Sequence, residues 1–340
     1  MMDIEKNVSL RALNTFGISA EASYLCHIRS HDDLSELIQT DIYQNEPHYI
    51  LAGGSNILFT GDFKGLIIKV DLKGIEISRE DEDSVVLTVA AGENWHQLVM
   101  HAVEKQWGGI ENLSLIPGTV GAAPMQNIGA YGVEIKNVVE KLEGIDLSSG
   151  GSRTYNNAEC EFGYRESVFK TTLRKKIFIS SVTLRLTKKN HQLNVEYGAI
   201  RDTLAANKVI TPSIKSISDA VIAIRQNKLP DPTKIGNAGS FFKNPTISSA
   251  DYKRLKFSHE DMPSYTVDNQ HFKIPAGWLI EQCGWKGKRI NDVGVHPLQA
   301  LVLVNYGDGS GEEILKLSKK IQESVEEKFG IKLIPEVNIL

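Results

Sequence analysis

Ser240 is the residue whose surroundings most strongly indicate chemistry. The segment Asn237–Pro245 reads NAGSFFKNP, so it places the serine hydroxyl between a flexible glycine and two phenylalanines. Glycine and serine commonly mark turns, and a turn residue is the simplest interpretation. Basic and amide side chains flank the segment, however, and they suit an anionic ligand whose reactive end reaches the hydroxyl; they are Arg225, Lys228, Lys243 and Asn244.

Arg165 is a second candidate, because it stands in an otherwise apolar and aromatic strip. The segment Phe162–Ser167 reads FGYRES. An arginine beside an aromatic ring stacks on that ring or pairs with an anion. A structural ion pair with Glu161 or Glu166 explains the position about equally well.

Glu336 is the acidic candidate. It follows Pro335 in the terminal segment IKLIPEVNIL, which we predict to be a strand with apolar neighbours. Its carboxylate either faces water at an edge, which is the commoner outcome, or is buried beside an arginine or a hydroxyl.

Two glycine-rich segments indicate a cofactor. Gly53–Asn56 (GGSN) follows a predicted strand over His48–Ala52, and such a turn lets backbone N–H groups approach a phosphate. The segment Leu115–Gly132 reads LIPGTVGAAPMQNIGAYG and is less polar than an ordinary surface loop. Tight turns between barrel-like strands explain the second segment about as well, but two such loops together favour the cofactor. No G-x-G-x-x-G follows a strand and no G-x-x-x-x-G-K-[ST] occurs, which disfavours the dinucleotide and phosphate-loop folds.

Composition limits the class of protein. A chain of 340 residues predicts roughly two domains. The formal net charge of −4 gives no reason to expect nucleic acid or a membrane surface as a partner. The amino terminus lacks an apolar leader and no run is long enough to cross a bilayer, so we expect a cytoplasmic protein. Cys26, Cys160 and Cys283 are far apart and odd in number, which predicts free thiols, and the scattered histidines predict no metal site.

Strands and helices alternate around these candidates. Strands are predicted over Gly65–Val70, Ser84–Ala90, Ile177–Leu186 and Ala300–Asn305. Helices are predicted over His31–Thr40, Trp95–Lys105, Ser218–Gln226, Ala276–Cys283 and Glu312–Lys328. Pro230 and Pro232 end the third helix and mark the start of the last domain.

Seven motifs, in one order, are similar to those of a known family. They are GGSN at Gly53–Asn56, IPGTVGAAPMQNIGAYG at Ile116–Gly132, FGYRES around Arg165, RQNKLPDP around Lys228, NAGSFFKNP around Ser240, AGWLIEQCGWKG around Lys286, and PEV around Glu336. Together they resemble the UDP-N-acetylenolpyruvoylglucosamine reductases (MurB) from Asn14 to Val337. The segment around Tyr197 looks like the longer type of this family, in which a tyrosine loop closes over the substrate.

The resemblance implies an α+β fold. It comprises a two-lobed FAD-binding region of the vanillyl-alcohol-oxidase-like (PCMH-type) fold and a C-terminal α/β substrate-binding domain. The implied boundaries are residues 1–72 for lobe 1, with the terminal strand 331–340 returning to it, 73–228 for lobe 2, and 229–330 for the substrate-binding domain.

The implied activity is NADPH-dependent reduction of UDP-N-acetylglucosamine enolpyruvate to UDP-N-acetylmuramate through non-covalent FAD, in peptidoglycan precursor synthesis. Hydride from the flavin adds to the terminal vinyl carbon, and Ser240 donates the proton to the other carbon. Gly239 and the two phenylalanines would hold the hydroxyl and exclude water. Arg165 and Glu336 lie at the substrate carboxylate, where negative charge develops. The partners are small molecules, and we expect a monomer.

The resemblance also implies binding residues. FAD is contacted mainly by backbone and small residues: Gly53, Gly54, Ser55, Asn56, Ile116, Pro117, Gly118, Gln126, Asn127, Gly129 and Tyr131, with Arg225 nearby. The UDP sugar is held by Tyr197, Lys228, Asn244, Tyr265, Lys286 and Gln299. Ala122 and Ala123 depart from the family, because some members carry serines there, so any side-chain hydroxyl contact to the flavin phosphates is lost and only backbone N–H contacts could remain.

Two other functions stay open. A flavin oxidase of the same fold would pass electrons to oxygen; such enzymes often tether FAD through a histidine, and neither glycine-rich loop contains one. A non-catalytic UDP-sugar-binding protein would use Ser240 only as a turn residue and would carry no flavin spectrum. The segment AGSFF is not the G-x-S-x-G elbow of hydrolases, so we do not expect a nucleophilic serine.

Overall fold

The computed structural model describes residues 3–340 and divides into two compact units. Unit 1 consists of the residues up to Val8, Ala22–Gly53 and Lys64–Asn227. Unit 2 consists of Ser9–Glu21, Gly54–Phe63 and Lys228–Leu340. Each unit is therefore assembled from segments that are far apart in the sequence.

The strands and helices follow one another along the chain. They are β1 (Ile4–Ser9), β2 (Glu21–Ile28), α1 (His31–Ile38), α2 (Asp41–Asn45), β3 (His48–Leu51), β4 (Ile57–Leu58), β5 (Phe63–Val70), β6 (Ile75–Glu80), β7 (Ser84–Ala90), α3 (Trp95–Glu104), β8 (Gly129–Ala130), β9 (Val133–Glu134), β10 (Val139–Asp146), β11 (Ser152–Asn156), β12 (Ile177–Thr187), α4 (Gly198–Ala206), α5 (Ile214–Lys228), β13 (Gly236–Ser240), β14 (Thr246–Ser248), α6 (Ser249–Ser258), β15 (Tyr265–Thr266), β16 (His271–Lys273), α7 (Ala276–Gln282), β17 (Arg289–Ile290), β18 (Val293–Val295), β19 (Val302–Asn305), α8 (Gly311–Phe329) and β20 (Asn338–Ile339).

Unit 1 is built on two sheets. One has the strand order β1-β2-β5-β3, with β3 and β5 parallel. The other is antiparallel with the order β11-β10-β12-β7-β6. The central strand β12 reads IFISSVTLRLT and is buried along most of its length. A strand buried on both faces is apolar and β-branched instead of strictly alternating, as this one is.

Helix α3 fixes the start of the second glycine-rich loop. The Asn94 side chain caps the helix by accepting a backbone N–H of its first turn. The buried Trp95 indole donates to the Leu113 carbonyl over 3.0 Å, and the Trp95 backbone N–H donates to the Gly118 carbonyl over 3.1 Å. The loop therefore leaves the core of unit 1 at a defined place.

Unit 2 contains a sheet of order β13-β19-β18-β17, covered by the long helix α8. Ser310 and Glu313 form a capping box at the start of α8, and Gly330 ends it in the left-handed conformation with φ +69°. Strand β20 pairs in parallel with β4, so the C-terminal segment is held beside residues 57–58.

Most of the predicted elements are confirmed with ends shifted by one or two residues. These are the predicted strands at β5, β7, β12 and β19 and the predicted helices at α1, α3, α7 and α8. Helix α5 is longer than expected, because it begins at Ile214 and reaches Lys228. The three cysteines are free, as expected.

One prediction near the candidate residues needs correction. Glu336 does not lie in a strand, because regular pairing is restricted to Asn338–Ile339 and Pro335 forms only an isolated bridge. The residues after Tyr197 form helix α4, for which no helix was predicted. Ile200 and Leu204, four residues apart, bury one face of α4, and the polar residues around them obscured this spacing.

The boundary between the two units falls after Asn227, at the end of α5. The finer division of the flavin region at residue 72 stays a prediction. Within residues 3–340, no helix is long and apolar enough to cross a membrane, and no three acidic, histidine or cysteine side chains are grouped to hold a metal ion.

We predict that replacing Asp71 with asparagine destabilises the fold in a pH-dependent way. Burial alone would raise the pKa of Asp71, but hydrogen bonds from His27 and Lys69 outweigh it and hold the pKa below its usual value. The carboxylate therefore stabilises the fold above the unfolded pKa of about 3.9, and the contribution disappears as the pH falls through the folded pKa.

In urea denaturation at pH 7, the free energy of unfolding of wild type should exceed that of the Asp71→Asn variant by about 1 kcal/mol. The difference is small because solvent screens this partly exposed group. It should shrink below about pH 4. Asp261→Asn, which removes an exposed carboxylate, is the control. A difference between wild type and the Asp71 variant that stays constant down to pH 3 would contradict this assignment.

Candidate active site

The two glycine-rich loops touch through their backbones in unit 1. A Cβ atom built on Gly53 would lie 2.8 Å from the Gly118 Cα, which is closer than side-chain carbons approach backbone atoms. Gly118 itself has φ +117°, a conformation that other residues rarely adopt. Glycine at both positions is therefore a condition for this contact.

Unused hydrogen-bond donors surround the contact. Within residues 3–340, the backbone N–H groups of Gly53, Ile116, Gly118 and Thr119 meet no acceptor. The buried hydroxyl of Thr119 also lacks a partner in that part of the chain. Unpaired backbone donors near the surface are the groups that bind phosphates and other anionic or carbonyl-rich ligands. The arrangement fits a dinucleotide cofactor such as FAD.

The other end of the GGSN turn belongs to unit 2. A Cβ atom on Gly54 would lie 1.9 Å from the Leu13 carbonyl oxygen, and Gly54 has φ +63°, so only glycine fits. The Asn56 carbonyl accepts the backbone N–H of Asn338 over 3.1 Å and its side chain over 3.0 Å. Ser55 is half-buried between these two anchored residues.

Arg165 lies at the tip of a two-residue turn whose ends, Gly163 and Glu166, exchange backbone hydrogen bonds. The guanidinium donates to the Gly129 carbonyl over 2.7 Å and lies over the Tyr164 ring at 5.6 Å. Arg165 adopts φ +55°, an uncommon conformation that the neighbouring contacts must maintain. Its cation is thus fixed beside the glycine-rich loop.

Asn127 joins the Arg165 turn to the loop. Its side-chain amide donates to the Gly163 carbonyl and to the Glu134 carboxylate, both over 2.9 Å. Its oxygen accepts the Lys136 backbone N–H over 3.2 Å. Asn127 is fully buried, so the structure gives it a positioning role, and a contact of this residue with FAD stays a prediction.

Arg225, Tyr131 and Tyr197 form a chain of contacts next to the loop. The Arg225 guanidinium donates to the Leu115 carbonyl over 3.3 Å and is hydrogen-bonded to the Tyr131 hydroxyl. The Tyr131 ring meets the Tyr197 ring edge-on at 5.2 Å. Tyr197 precedes α4 and is 44% exposed, so one side of it is available to a ligand.

Burial shifts the pKa values in this group. It lowers the pKa of Arg225, which Tyr131 partly opposes, and it raises the pKa of Tyr131, which Arg225 partly opposes. His96 accepts the Leu115 backbone N–H over 3.0 Å, and burial together with the Arg225 charge lowers its pKa. His96 should therefore be neutral near pH 7.

Ser240 lies at the end of β13 beside a bulge. Asn237 pairs with Val304 and Ser240 with Val302, so β13 has one extra residue. Gly239 allows the bulge through φ +70°. Ser240 is exposed, and its hydroxyl has no hydrogen-bond partner within residues 3–340. The hydroxyl is therefore available to a ligand.

Glu336 lies on the neighbouring backbone segment of unit 2. Its N–H donates to the Phe241 carbonyl over 2.8 Å, and Pro335 pairs with Phe242 in an isolated antiparallel bridge. Two predicted catalytic residues, Ser240 and Glu336, are thus brought to adjacent segments although they are far apart in the sequence.

The two phenylalanines do not form a wall of the site. Phe241 is 0% and Phe242 is 1% exposed, so both rings belong to the core of unit 2. They pack edge-on against each other at 5.1 Å, and Phe241 does the same with Phe16 at 6.5 Å. The expectation that these rings themselves screen Ser240 from water is wrong; their role is to anchor the strand.

Two predicted substrate residues meet at the start of α7. The Asn244 side-chain oxygen accepts the Ala276 N–H over 2.9 Å. The Gln299 side-chain oxygen lies 3.1 Å from the position of a Cβ on Gly277. Among residues 3–340, only the oxygens of these two side chains are hydrogen-bonded, so their amide nitrogens are available to a ligand.

The other predicted substrate residues lie at the surface of unit 2. Lys286 pairs with Glu281 over 2.8 Å, an exposed pair that costs little to exchange for a phosphate. Lys228 is exposed at the end of α5, and Tyr265 in β15 is 56% exposed.

The expectation for Ala122 and Ala123 is wrong in one respect. Their N–H groups donate to the carbonyls of Thr119 and Val120 over 3.1 and 3.2 Å, so they are used inside the loop. Thr119 is the residue that sequence reasoning missed; it lies within a quoted motif, but its orphaned hydroxyl is visible only in the fold.

Two models of known protein families match this chain, and they define the class of protein to which it belongs. Residues 22–153 match the family model of an FAD binding domain, and residues 231–340 match that of the UDP-N-acetylenolpyruvoylglucosamine reductase C-terminal domain. The first match contains both glycine-rich loops, so the chain is a flavoprotein and the prediction of FAD is confirmed.

The chain is 49% identical to the UDP-N-acetylenolpyruvoylglucosamine reductase of Flavobacterium johnsoniae and 50% identical to that of Amoebophilus asiaticus, in each case covering 100% of both chains. It belongs to the UDP-N-acetylenolpyruvoylglucosamine reductase family. The crystal structure of such a reductase (MurB) from Thermus caldophilus matches with a TM-score of 0.70 at 22% identity, covering 100% of this chain and 99% of that one. The predicted α+β, PCMH-type fold with its C-terminal domain is confirmed.

We predict that Gly53→Ala weakens FAD binding. The added methyl must displace the Gly118 backbone, and such overpacking costs about 1–3 kcal/mol. The dissociation constant of FAD, measured by fluorescence quenching on reconstituted apoprotein, should rise at least about tenfold, which corresponds to 1.4 kcal/mol.

Gly61→Ala is the matched control, because a Cβ on Gly61 meets nothing within 4 Å. Unchanged FAD affinity in the Gly53 variant would show that the loop contact is not required for the cofactor.

Proposed function

We propose that this protein catalyses the NADPH-dependent reduction of UDP-N-acetylglucosamine enolpyruvate to UDP-N-acetylmuramate through FAD. The reaction supplies a peptidoglycan precursor and so supports cell-wall biogenesis, cell shape and division. Membership of the reductase family over the full chain length supports the reaction. The contact of Gly53 with Gly118, surrounded by unused N–H donors, is the structural observation that carries the flavin part of the proposal.

When bound, FAD would supply hydride transfer from NADPH to the terminal vinyl carbon of the substrate. The protein residues then have two tasks. They must stabilise the negative charge that develops between the adjacent carbon and the substrate carboxylate, and they must deliver a proton to that carbon. Placing these groups in advance removes the cost of reorganising solvent around the charge.

We assign the charge stabilisation to Arg165 and Glu336. The Arg165 guanidinium is held by the Gly129 carbonyl and by its own turn, so its orientation is set before substrate binds. The Glu336 backbone is fixed by hydrogen bonds to Phe241 and from Asn56. A protonated Glu336 would donate a hydrogen bond to the carboxylate that Arg165 neutralises.

We assign the proton to Ser240. A serine is a weak acid, so it serves as a donor only when it is held within hydrogen-bond reach of a strongly basic carbon. The bulge at Gly239 presents the hydroxyl at the surface of unit 2 without an internal partner. Substrate, and not the buried phenylalanines, would exclude water from it.

We assign the nucleotide and sugar to Lys228, Asn244, Tyr265, Lys286 and Gln299, with Tyr197 closing over them as in the longer type of the family. Lysine and amide side chains match the diphosphate, uridine and sugar groups. The substrate and NADPH are small polar molecules and all three thiols are free, which supports a cytoplasmic enzyme. We propose that it acts as a monomer.

We predict that Ser240→Ala separates the two half-reactions. Reduction of the bound flavin by NADPH should keep its wild-type rate within about twofold, since no proton from Ser240 is needed there. Reduction of the enolpyruvyl substrate should slow by about a hundred- to ten-thousandfold, the usual contribution of a positioned acid. Rapid-mixing absorbance at the flavin band measures each rate.

Ser258→Ala is the control, because Ser258 is an exposed serine of unit 2. Ser240→Cys retains a weak donor and should recover part of the second rate. Equal losses in both half-reactions would rule out the proton-donor role of Ser240.

A further inference from the structure

Arg225 is a cation without an acidic partner. Its guanidinium donates to the Leu115 carbonyl over 3.3 Å and is hydrogen-bonded to the Tyr131 hydroxyl, and both of these groups are neutral. Within residues 3–340, no carboxylate pairs with it. Its surroundings are dense enough for burial to lower its pKa, although part of the residue stays exposed. A desolvated cation that lacks a protein anion indicates an anionic ligand.

The one charged side chain that acts on the pKa of Arg225 has the same sign. Arg165 acts electrostatically on Arg225 and lowers its pKa further. The Arg165 guanidinium is itself fixed on the Gly129 carbonyl, two residues before Tyr131. The two cations therefore act on one region of unit 1, and together they favour negative charge there.

Strained backbone surrounds Arg225. Both of its partners have left-handed conformations, φ +59° at Leu115 and φ +51° at Tyr131, as does Arg165 at +55°. Non-glycine residues adopt this conformation at a cost in free energy, and such residues concentrate at functional sites. Both groups that contact Arg225 are thus held in uncommon backbone conformations.

The positive charge of Arg225 could act on either of two parts of FAD, the diphosphate or the flavin ring. The diphosphate is permanently anionic, whereas the ring becomes anionic only when it accepts a hydride. The unused N–H donors of Gly53 and Gly118 suit the diphosphate. Arg225 is grouped instead with Arg165, which lies at the reacting end under the proposed function.

We propose that Arg225 is the fixed positive charge that stabilises the negative charge acquired by the flavin ring on reduction. The inference rests on the proposed function for its cofactor and for the place of Arg165. Hydride from NADPH adds two electrons and one proton to the neutral ring, which leaves one negative charge, and oxidised nicotinamide departs. The charge is discharged when the hydride passes on to substrate, and Arg225 keeps its own proton throughout. Charge close to the ring is a recognised means by which proteins tune flavin potential.

The test uses the FAD-loaded protein and requires no UDP sugar. Arg225→Met keeps the length of the side chain and removes its charge, and Arg225→Lys keeps the charge. Arg153→Met removes an exposed arginine of unit 1 and is the charge-matched control. The midpoint potential is measured by anaerobic equilibration with a reference dye, and sulfite affinity is measured on the oxidised flavin, because sulfite addition creates the same negative charge on the ring.

For Arg225→Met we expect the equilibrium constant for two-electron reduction to fall roughly ten- to a hundredfold at pH 7.5. Sulfite binding, where wild type shows it, should weaken by a similar factor. The pH dependence of the potential should change from one proton per two electrons towards two. The midpoint potential of Arg225→Lys should lie between those of wild type and Arg225→Met, and the potential of Arg153→Met should equal that of wild type.

A wild-type potential in Arg225→Met overturns the inference. If that result comes with much weaker FAD binding, Arg225 serves the diphosphate; if it comes only with lower thermal stability, Arg225 is structural. If Arg225→Met fails to fold, Arg225→Gln replaces it as the variant without the charge, and its midpoint potential is compared with that of Arg225→Lys, which keeps the charge. Failure of wild type to reduce the UDP sugar would reject the proposed function while leaving these potentials measurable, so the two failures are distinguishable.

Discussion

The close approach of Gly53 to Gly118 is the constraint on which the proposed flavin site depends. Two loops from distant parts of the chain meet with no side chain between them, because any Cβ on Gly53 would overlap the Gly118 backbone. The approach leaves backbone donors of both loops without protein acceptors. A cofactor that supplies acceptors there satisfies these donors, which otherwise carry a free-energy cost. We therefore propose that cofactor binding and loop geometry are coupled, so that loss of either weakens the other.

Hydrogen bonds, instead of sequence proximity, position the residues that we propose as catalytic. Arg165 is bound to the Gly129 carbonyl, and its turn is bound by the fully buried Asn127. In unit 2, backbone hydrogen bonds hold Glu336 beside the strand that ends at Ser240. Main-chain partners thus set the positions of Arg165 and Glu336. Under the proposed function, such preorganisation is what would allow a weak acid such as Ser240 to act as a proton donor.

Elements whose composition is decided by burial alone could be predicted from the sequence. The apolar run of β12 and the amphipathic spacing of α8 specified those elements, because burial decides their composition. The seven motifs supplied the family and its cofactor. Long-range relations could not be predicted: the orphaned hydroxyl of Thr119 and the missing acid near Arg225 are properties of packing, not of local pattern. The burial of Phe241 and Phe242 was missed for the same reason, since an apolar pair reads alike in a core and in a pocket wall.

We propose that this flavoprotein passes electrons from NADPH to an enolpyruvyl sugar nucleotide, and anaerobic stopped-flow absorbance on the wild-type protein follows both transfers. We expect NADPH to bleach the flavin band and UDP-N-acetylglucosamine enolpyruvate to restore it, whereas oxygen should restore it far more slowly than substrate does. A flavin that NADPH does not bleach, or one that oxygen reoxidises faster than the sugar nucleotide does, would rule out this function.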